Sequence, residues 1–417
     1  MIWIMDKPPL LTPILRWFML AMVLANVASA MTPMLIPIYL TELGASVGQV
    51  GLVFTLTSVA VLALQIFGGW VSDGIGRLRA IAIGSVGGIL GFVALLLAPT
   101  WQWMLVALVI YQFPFALVGP SFGAFIAENS TEATRGRVYG ITSTIYQVTA
   151  IIGPLLGGFL AAGYGFKAML LVAALFYTVA AGLRIWMATT MRPPAGTQTT
   201  GLSFASFRTS MVTLLGMVFT GGLLTWIFIT DGISDIAFRM SFELQPIYLQ
   251  QVAGISITQI GLLGSINGVA TMFVPLLSGR LADRYGERLP IAAGFFMCSA
   301  AIVVFLQAGL FGVFAISWVL FGIGGGLLGP AYQSLISKAV PQKMLGTFSG
   351  IFYSSLGLIS LPAPWLGAQL WERFSPRLPF MITAAAALLI LVPVWFKFRL
   401  PEKPANPPLA ALTEAGD

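Results

Sequence analysis

Apolar runs of about 20 residues or more recur almost without interruption from Ile14 to Phe398, and no other feature limits the fold so severely. A run of that length satisfies its backbone polar groups within one helix and crosses a hydrocarbon core of about 30 Å. The runs lie at 14–40, 47–72, 79–98, 102–126, 137–162 and 167–190, and again at 223–249, 256–281, 289–308, 312–337, 347–370 and 379–398. Only 8% of residues are charged, against about 25% in a chain surrounded by water. The sequence therefore predicts an all-α polytopic membrane protein with twelve transmembrane helices in two six-helix, pseudo-symmetric bundles. Residues 1–190 form the first bundle and 223–400 the second. Between them, 191–222 is a cytoplasmic linker with room for an amphipathic helix, and the Pro/Ala-rich 401–417 is a disordered cytoplasmic tail.

The chain has no histidine and one cysteine, Cys298, so cysteine-cluster metal sites and Ser-His-Asp chemistry are absent. Neither an enzyme nor a cofactor or metal is expected. The run Gly324-Gly-Gly326 lacks the Gly-Lys-Ser/Thr ending of a phosphate loop and reads as helix packing. The net charge of +7 is scattered through short loops without aromatic interleaving, which argues against nucleic acid. If both termini are cytoplasmic, seventeen Lys and Arg, Arg184 among them, fall on that side. Lys167, Arg373 and Arg377 fall on the other, and Arg239 lies inside the membrane. This positive-inside bias predicts the topology, with the first helix retained rather than cleaved as a signal. A monomer in a plasma membrane, bacterial inner membrane by preference, is expected.

An internal repeat holds one register, a spacing of 210, over most of the chain. Gly44, Gln49 and Gly51 recur as Gly254, Gln259 and Gly261; Gly69, Asp73 and Gly76 as Gly279, Asp283 and Gly286; Pro154 and Gly157 as Pro364 and Gly367. Pro37-Ile-Tyr-Leu40 matches Pro246-Ile-Tyr-Leu249 one residue out of step. Repeats with an even number of helices are parallel, and two such halves enclose a midplane cavity about which they can rock.

The loop after the second run reads Gly69-Trp-Val-Ser-Asp73-Gly-Ile-Gly76-Arg77-Leu-Arg79, and its repeat Gly279-Arg-Leu-Ala-Asp283-Arg284-Tyr-Gly286-Glu-Arg288. Here the chain resembles the major facilitator superfamily, whose signature between helices two and three is Gly-x-Leu-Ala-Asp-Arg-x-Gly-Arg-Lys. The resemblance implies that Gly69, Asp73, Gly76, Arg77 and Arg79, and in the second copy Gly279, Asp283, Arg284, Gly286 and Arg288, belong to a cytoplasmic gate; the alternative is a structural turn. In the first copy Gly74 and Leu78 replace basic residues. The fifth run carries Gly140, then Gly153-Pro154-Leu-Leu-Gly157-Gly158, which resembles the antiporter motif of the superfamily, with Thr149 where its second glycine belongs. That resemblance implies export by exchange, whereas glycine-rich helix packing is the plainer reading.

The seventh run holds Asp231, Asp235, Arg239 and Glu243, and steps of four put them on one slanting stripe. Charges at the bilayer centre cost at least about 2.5–3.5 kcal/mol each unless paired or wet, so the stripe should face a central cavity. A carboxylate that alternates between a proton and Arg239 couples proton movement to rocking. Two readings compete: a static Asp235–Arg239 pair, or a stripe outside the membrane. Asn26, Gln112, Tyr146, Gln147, Asn267, Gln333 and Tyr353 are further candidates for lining the cavity. Together these features predict a secondary transporter working by alternating access, with protons as the coupling ion and small lipophilic or cationic compounds exported. A symporter or uniporter for an organic anion or sugar, anchored by Arg239, and a lipid flippase are the alternatives.

Overall fold

The computed structural model describes residues 11–75, 77–190, 222–340 and 345–398, and these are helices joined by short turns. In chain order the first half contains α1 (Pro13–Ala30), α2 (Ile36–Glu42), α3 (Val47–Ile75), α4 (Arg77–Leu97), α5 (Trp101–Tyr111), α6 (Phe113–Glu128), α7 (Glu132–Tyr164) and α8 (Phe166–Thr190). The second half contains α9 (Leu223–Phe242), α10 (Gln245–Ile247) leading into a π-turn (Tyr248–Val252), α11 (Ile257–Tyr285), α12 (Arg288–Gln307), α13 (Phe311–Ala339), α14 (Leu345–Ile359), α15 (Ala363–Arg373) and α16 (Leu378–Lys397). Ten spans of the described residues are long and apolar enough to cross a membrane, α5 and α6 counting as one. The segments 223–252 and 345–373 are not among them, because α9 carries Asp231, Asp235 and Arg239 and the other is split between α14 and α15.

Four runs expected as continuous helices are broken, between α1 and α2, α5 and α6, α9 and α10, and α14 and α15. The helix after each break has proline in its first two positions: Pro37, Pro114, Pro246 and Pro364. Proline lacks the N–H that a helix interior needs, but its fixed φ suits a helix start. Irregular backbone at membrane depth is tolerated where it lines a cavity or is buried in protein, so each break marks a place to look for function.

The repeat has a local structural cause. Gly44 and Gly254 adopt φ of +88° and +67°, a left-handed conformation that glycine takes without strain. Two residues later Ser46 and Ser256 begin α3 and α11 with matching caps. The Ser46 N–H donates to Gln49 Oε1 at 2.9 Å, and the Ser256 N–H donates to Gln259 Oε1 at 3.1 Å. In each copy the Gln N–H returns to the Ser hydroxyl at 3.3 Å, completing a capping box.

Within the first half α4 packs on α5, α6 and α8, and α1 on α7 and α8; within the second, α12 packs on α13 and α16, and α9 on α15 and α16. The halves meet mainly along α7–α11 and α3–α15. These crossings are close because glycines make them so. A Cβ on Gly158 would lie 2.8 Å from Gly261 Cα, and one on Gly51 only 2.6 Å from the Pro364 carbonyl oxygen. Side chains reinforce them. The Ser265 hydroxyl donates to the Ile151 carbonyl at 2.6 Å, the Gly48 N–H to Glu372 Oε1 at 2.6 Å, and the Trp365 N–H to Thr55 Oγ1 at 3.1 Å. All of these contacts lie toward the end that bears Gly44 and Gly254.

Candidate functional site

One face of α9 is small and buried: Thr230, Ser234, Ala237 and Ser241. It is seated by the Thr383 hydroxyl of α16, which donates to the Ala237 carbonyl at 2.6 Å, and by α15, whose Gly367 backs onto the Met240 carbonyl. With that face fixed, Asp231, Asp235, Arg239 and Glu243 turn together into a cavity of about 780 Å³. The expected stripe is thus one wall of a chamber. Asp235 and Arg239 are paired at 2.9 Å, in the acid-before-base order at four residues that favours an ion pair on a helix. Among the described residues, no cation lies within ion-pair distance of Asp231 or Glu243.

The helix breaks line the same chamber. Thr32, Pro33 and Ile36 come from the first, Gln112 from the second, Phe242 and Glu243 from the third and Leu361 from the fourth. The Thr32 and Tyr111 hydroxyls meet at 3.2 Å and tie the first break to the second. Of the other candidates, Gln112 and Tyr353 line this chamber. Asn267 lines an adjoining cavity of about 560 Å³ that shares Pro33, Phe242 and Glu243, with its amide donating to the Trp318 carbonyl at 3.1 Å. Asn26 and Tyr146 line a third, of about 120 Å³. Gln147 and Gln333 line none of the three.

The expected gate residues lie at the end of α3 and α11 away from Gly44 and Gly254. Gly69 and Asp73 fall in the last turns of α3, and Gly76 lies outside the described residues. Asp283 occupies the last turn of α11 and is exposed, so it does not cap a helix N-terminus. The helix instead ends at Gly286, at φ +81°, with open space around Gly279. Arg284 stacks over Tyr285 and Arg288 over Trp395, at 5.1 and 5.0 Å, while Arg79 is exposed on α4. Arg77 pairs with Glu128 at 3.8 Å. At the positions 210 residues on, buried Glu287 pairs with Lys338 and accepts from the Ser334 hydroxyl at 2.9 Å. The two copies keep the bond and exchange its charges. Burial raises the pKa of Glu287, but the hydrogen bonds from Lys338 and Ser334 outweigh it and hold the carboxyl below its ordinary range. The sequence reading missed this pair, although the register of 210 points to it.

Arg184 corrects the charge tally. It lies in α8, only 4% exposed, against Ser85, Tyr146 and Tyr177, and so leaves sixteen Lys and Arg of the sequence in the cytoplasmic tally. The glycines of the antiporter-like motif differ in what they meet. Gly153 and Gly157 admit Ala30 and Met31, and Gly158 and Pro154 abut Gly261 and Gly264, but Gly140 faces open space.

A family model described as Major Facilitator Superfamily matches residues 18–234 and 227–415. Among curated relatives, Multidrug resistance protein MdtG of Escherichia fergusonii is 24% identical, over 91% of this chain and 93% of that one. The Multi-drug resistance efflux pump PmrA homolog of Lactococcus lactis is 25% identical, over 87% and 89%. The Uncharacterized MFS-type transporter YqjV of Bacillus subtilis is 23% identical, over 93% and 94%. Among solved structures, a peptide transporter POT in complex with sulfate superposes with a TM-score of 0.74, at 15% identity over 92% and 93%. The human organic anion transporter MFSD10 superposes at 0.65, with 15% identity over 93% and 100%. These superpositions describe the fold.

Proposed function

Since the chain belongs to the major facilitator superfamily, we propose that it is a twelve-span, two-bundle secondary transporter that exports small lipophilic or cationic compounds in exchange for protons. The broken segments 223–252 and 345–373 supply the two spans beyond the ten that are long and apolar enough among the described residues. The observation that carries the reading is the acidic wall of the large chamber: Asp231, Asp235 and Glu243 against Arg239 alone. Such a chamber favours cations and protons, and Arg239 already spends its Nε on Asp235. That occupancy weighs against an organic-anion symporter anchored by Arg239. The relatives named for multidrug resistance point the same way. In this reading Asp231 or Asp235 takes up a proton while Arg239 neutralises the other carboxylate. Proton and substrate then compete for one carboxylate pair, and the halves rock about the chamber. The joined end bears Gly44 and Gly254; on the positive-inside orientation it is the outer one, so the chamber opens toward the cytoplasm.

The test uses the full chain in liposomes with an internal pH dye and tetraphenylphosphonium as a lipophilic cation. Substrate added on one side should drive proton movement toward that side. Asp235→Asn should abolish this coupling while the protein remains folded. Undiminished coupled flux in that variant sinks the proposal.

A further inference from the structure

We propose that the small pocket around Arg184 is an anion subsite that takes the carboxylate of an organic molecule whose body lies in the large chamber. The guanidinium is buried in α8, yet among the described residues no carboxylate lies within ion-pair distance of it, and none lines the pocket. One Nη donates to the Ser85 hydroxyl at 3.1 Å, but Nε has no partner. The Asn26 Nδ2, which faces the same pocket from α1, is likewise buried and unpartnered. Two orphaned donors, one of them cationic, converge where an acceptor is missing. Buried donors left in this state are costly, and a buried charge more so.

The repeat excludes the simplest structural explanation. At 210 residues on, Ser85, Tyr177 and Arg184 correspond to Phe295, Ala387 and Val394. Those three are buried together in one apolar core cluster. The fold thus fills this position between its fourth and eighth helices, or between the twelfth and sixteenth, with hydrocarbon alone and has no need of a cation there. In the first half the chain carries the cost of a buried arginine that bonds Ser85 and Tyr177 and leaves its Nε without a partner.

Size and charge select the ligand. The pocket offers about 120 Å³, room for several water-sized groups and so for a carboxylate, but far less than the large chamber. A single unmatched cation balances a single negative charge; a dianion would bring a second one into the interior uncompensated. Ser29, Tyr111 and Phe115 line both this pocket and the large chamber. An acid group held at Arg184 therefore leaves its apolar body in the chamber, opposite the carboxylates of α9. The subsite stands independently of proton coupling, since it concerns binding alone.

Thermal unfolding of the full chain in nanodiscs tests it, with benzoate as probe and benzamide and chloride as controls. Benzoate should raise the melting temperature in a concentration-dependent way that benzamide and chloride do not match. Arg184→Gln and, separately, Asn26→Leu should weaken the apparent affinity about tenfold or more, as loss of a charge-assisted or buried hydrogen bond does. No benzoate-specific shift in the wild-type protein overturns the proposal, and so does an equal shift with chloride. An unchanged affinity in Asn26→Leu overturns it even if Arg184→Gln does not fold.

Discussion

At the scale of single residues, the glycines divide into those that hold helices together and those that do not. The sequence presents Gly140, Gly153, Gly157 and Gly158 as one motif. In the structure a Cβ on Gly158 would meet the Ile257 carbonyl oxygen at 3.0 Å and Gly261 Cα at 2.8 Å, whereas nothing lies within 4 Å of one on Gly140. Backbone atoms cannot swing aside as a side chain can, so Gly158→Leu should destabilise the protein by about 1–3 kcal/mol, the cost of overpacking. Gly140→Leu should leave the melting temperature within experimental error, and equal losses in the two variants would refute this division. Residue type in a spaced motif is legible in the sequence; the neighbour each residue meets is not, because it belongs to a helix more than a hundred residues away. Arg184 shows the same limit. It reads as a loop charge because it sits near the end of its apolar run, and only the packing of α8 on α4 and α1 reveals its burial.

Among elements, the repeat is the part of the fold most plainly written in the sequence, since Gly44 and Gly254 turn the chain and Gln49 and Gln259 close the caps that follow. The helix breaks are harder to read, because a proline inside a long apolar run fits a kinked span as well as two separate helices. Hardest is a contact whose chemistry is conserved while its residues are exchanged, as in Arg77–Glu128 and Glu287–Lys338. Lys338→Glu should place two carboxylates together and lower the melting temperature, and adding Glu287→Lys should recover most of the loss; a double variant no better than the single one would show that the pair does not act as a bond. Acid gives a second check. A carboxyl held below its ordinary pKa contributes stability above its unfolded value, about 4.3 for glutamate, and loses it as pH falls through the folded value. The melting temperature of Glu287→Gln should therefore fall less than that of the wild type as pH is lowered from neutral to about 3, through the range in which the folded carboxyl takes up its proton. Parallel slopes would show that Glu287 makes no such contribution.

For the whole molecule, the chamber follows from an asymmetry within a symmetric plan: the second half supplies the charged wall on α9, while the first supplies Thr32, Gln112 and the neighbouring Arg184 pocket. The contacts that join the halves gather at one end, where Gly48 meets Glu372 and Gly51 meets Ala368. Rocking requires those contacts to separate once per cycle. A Cβ on Gly51 would lie 2.5 Å from that of Ala368, nearer than the roughly 3.8 Å of a disulfide, so a small parting of α3 and α15 allows Gly51→Cys and Ala368→Cys to bridge. In a Cys298→Ala background, which removes the chain's own thiol, oxidation should lock that end shut. Transport in liposomes should stop on oxidation and resume with reductant, while binding measured on the locked protein persists through the end that remains open. Transport at the unlocked rate through the oxidised protein would mean that α3 and α15 need not part, and alternating access about this chamber would fail with it.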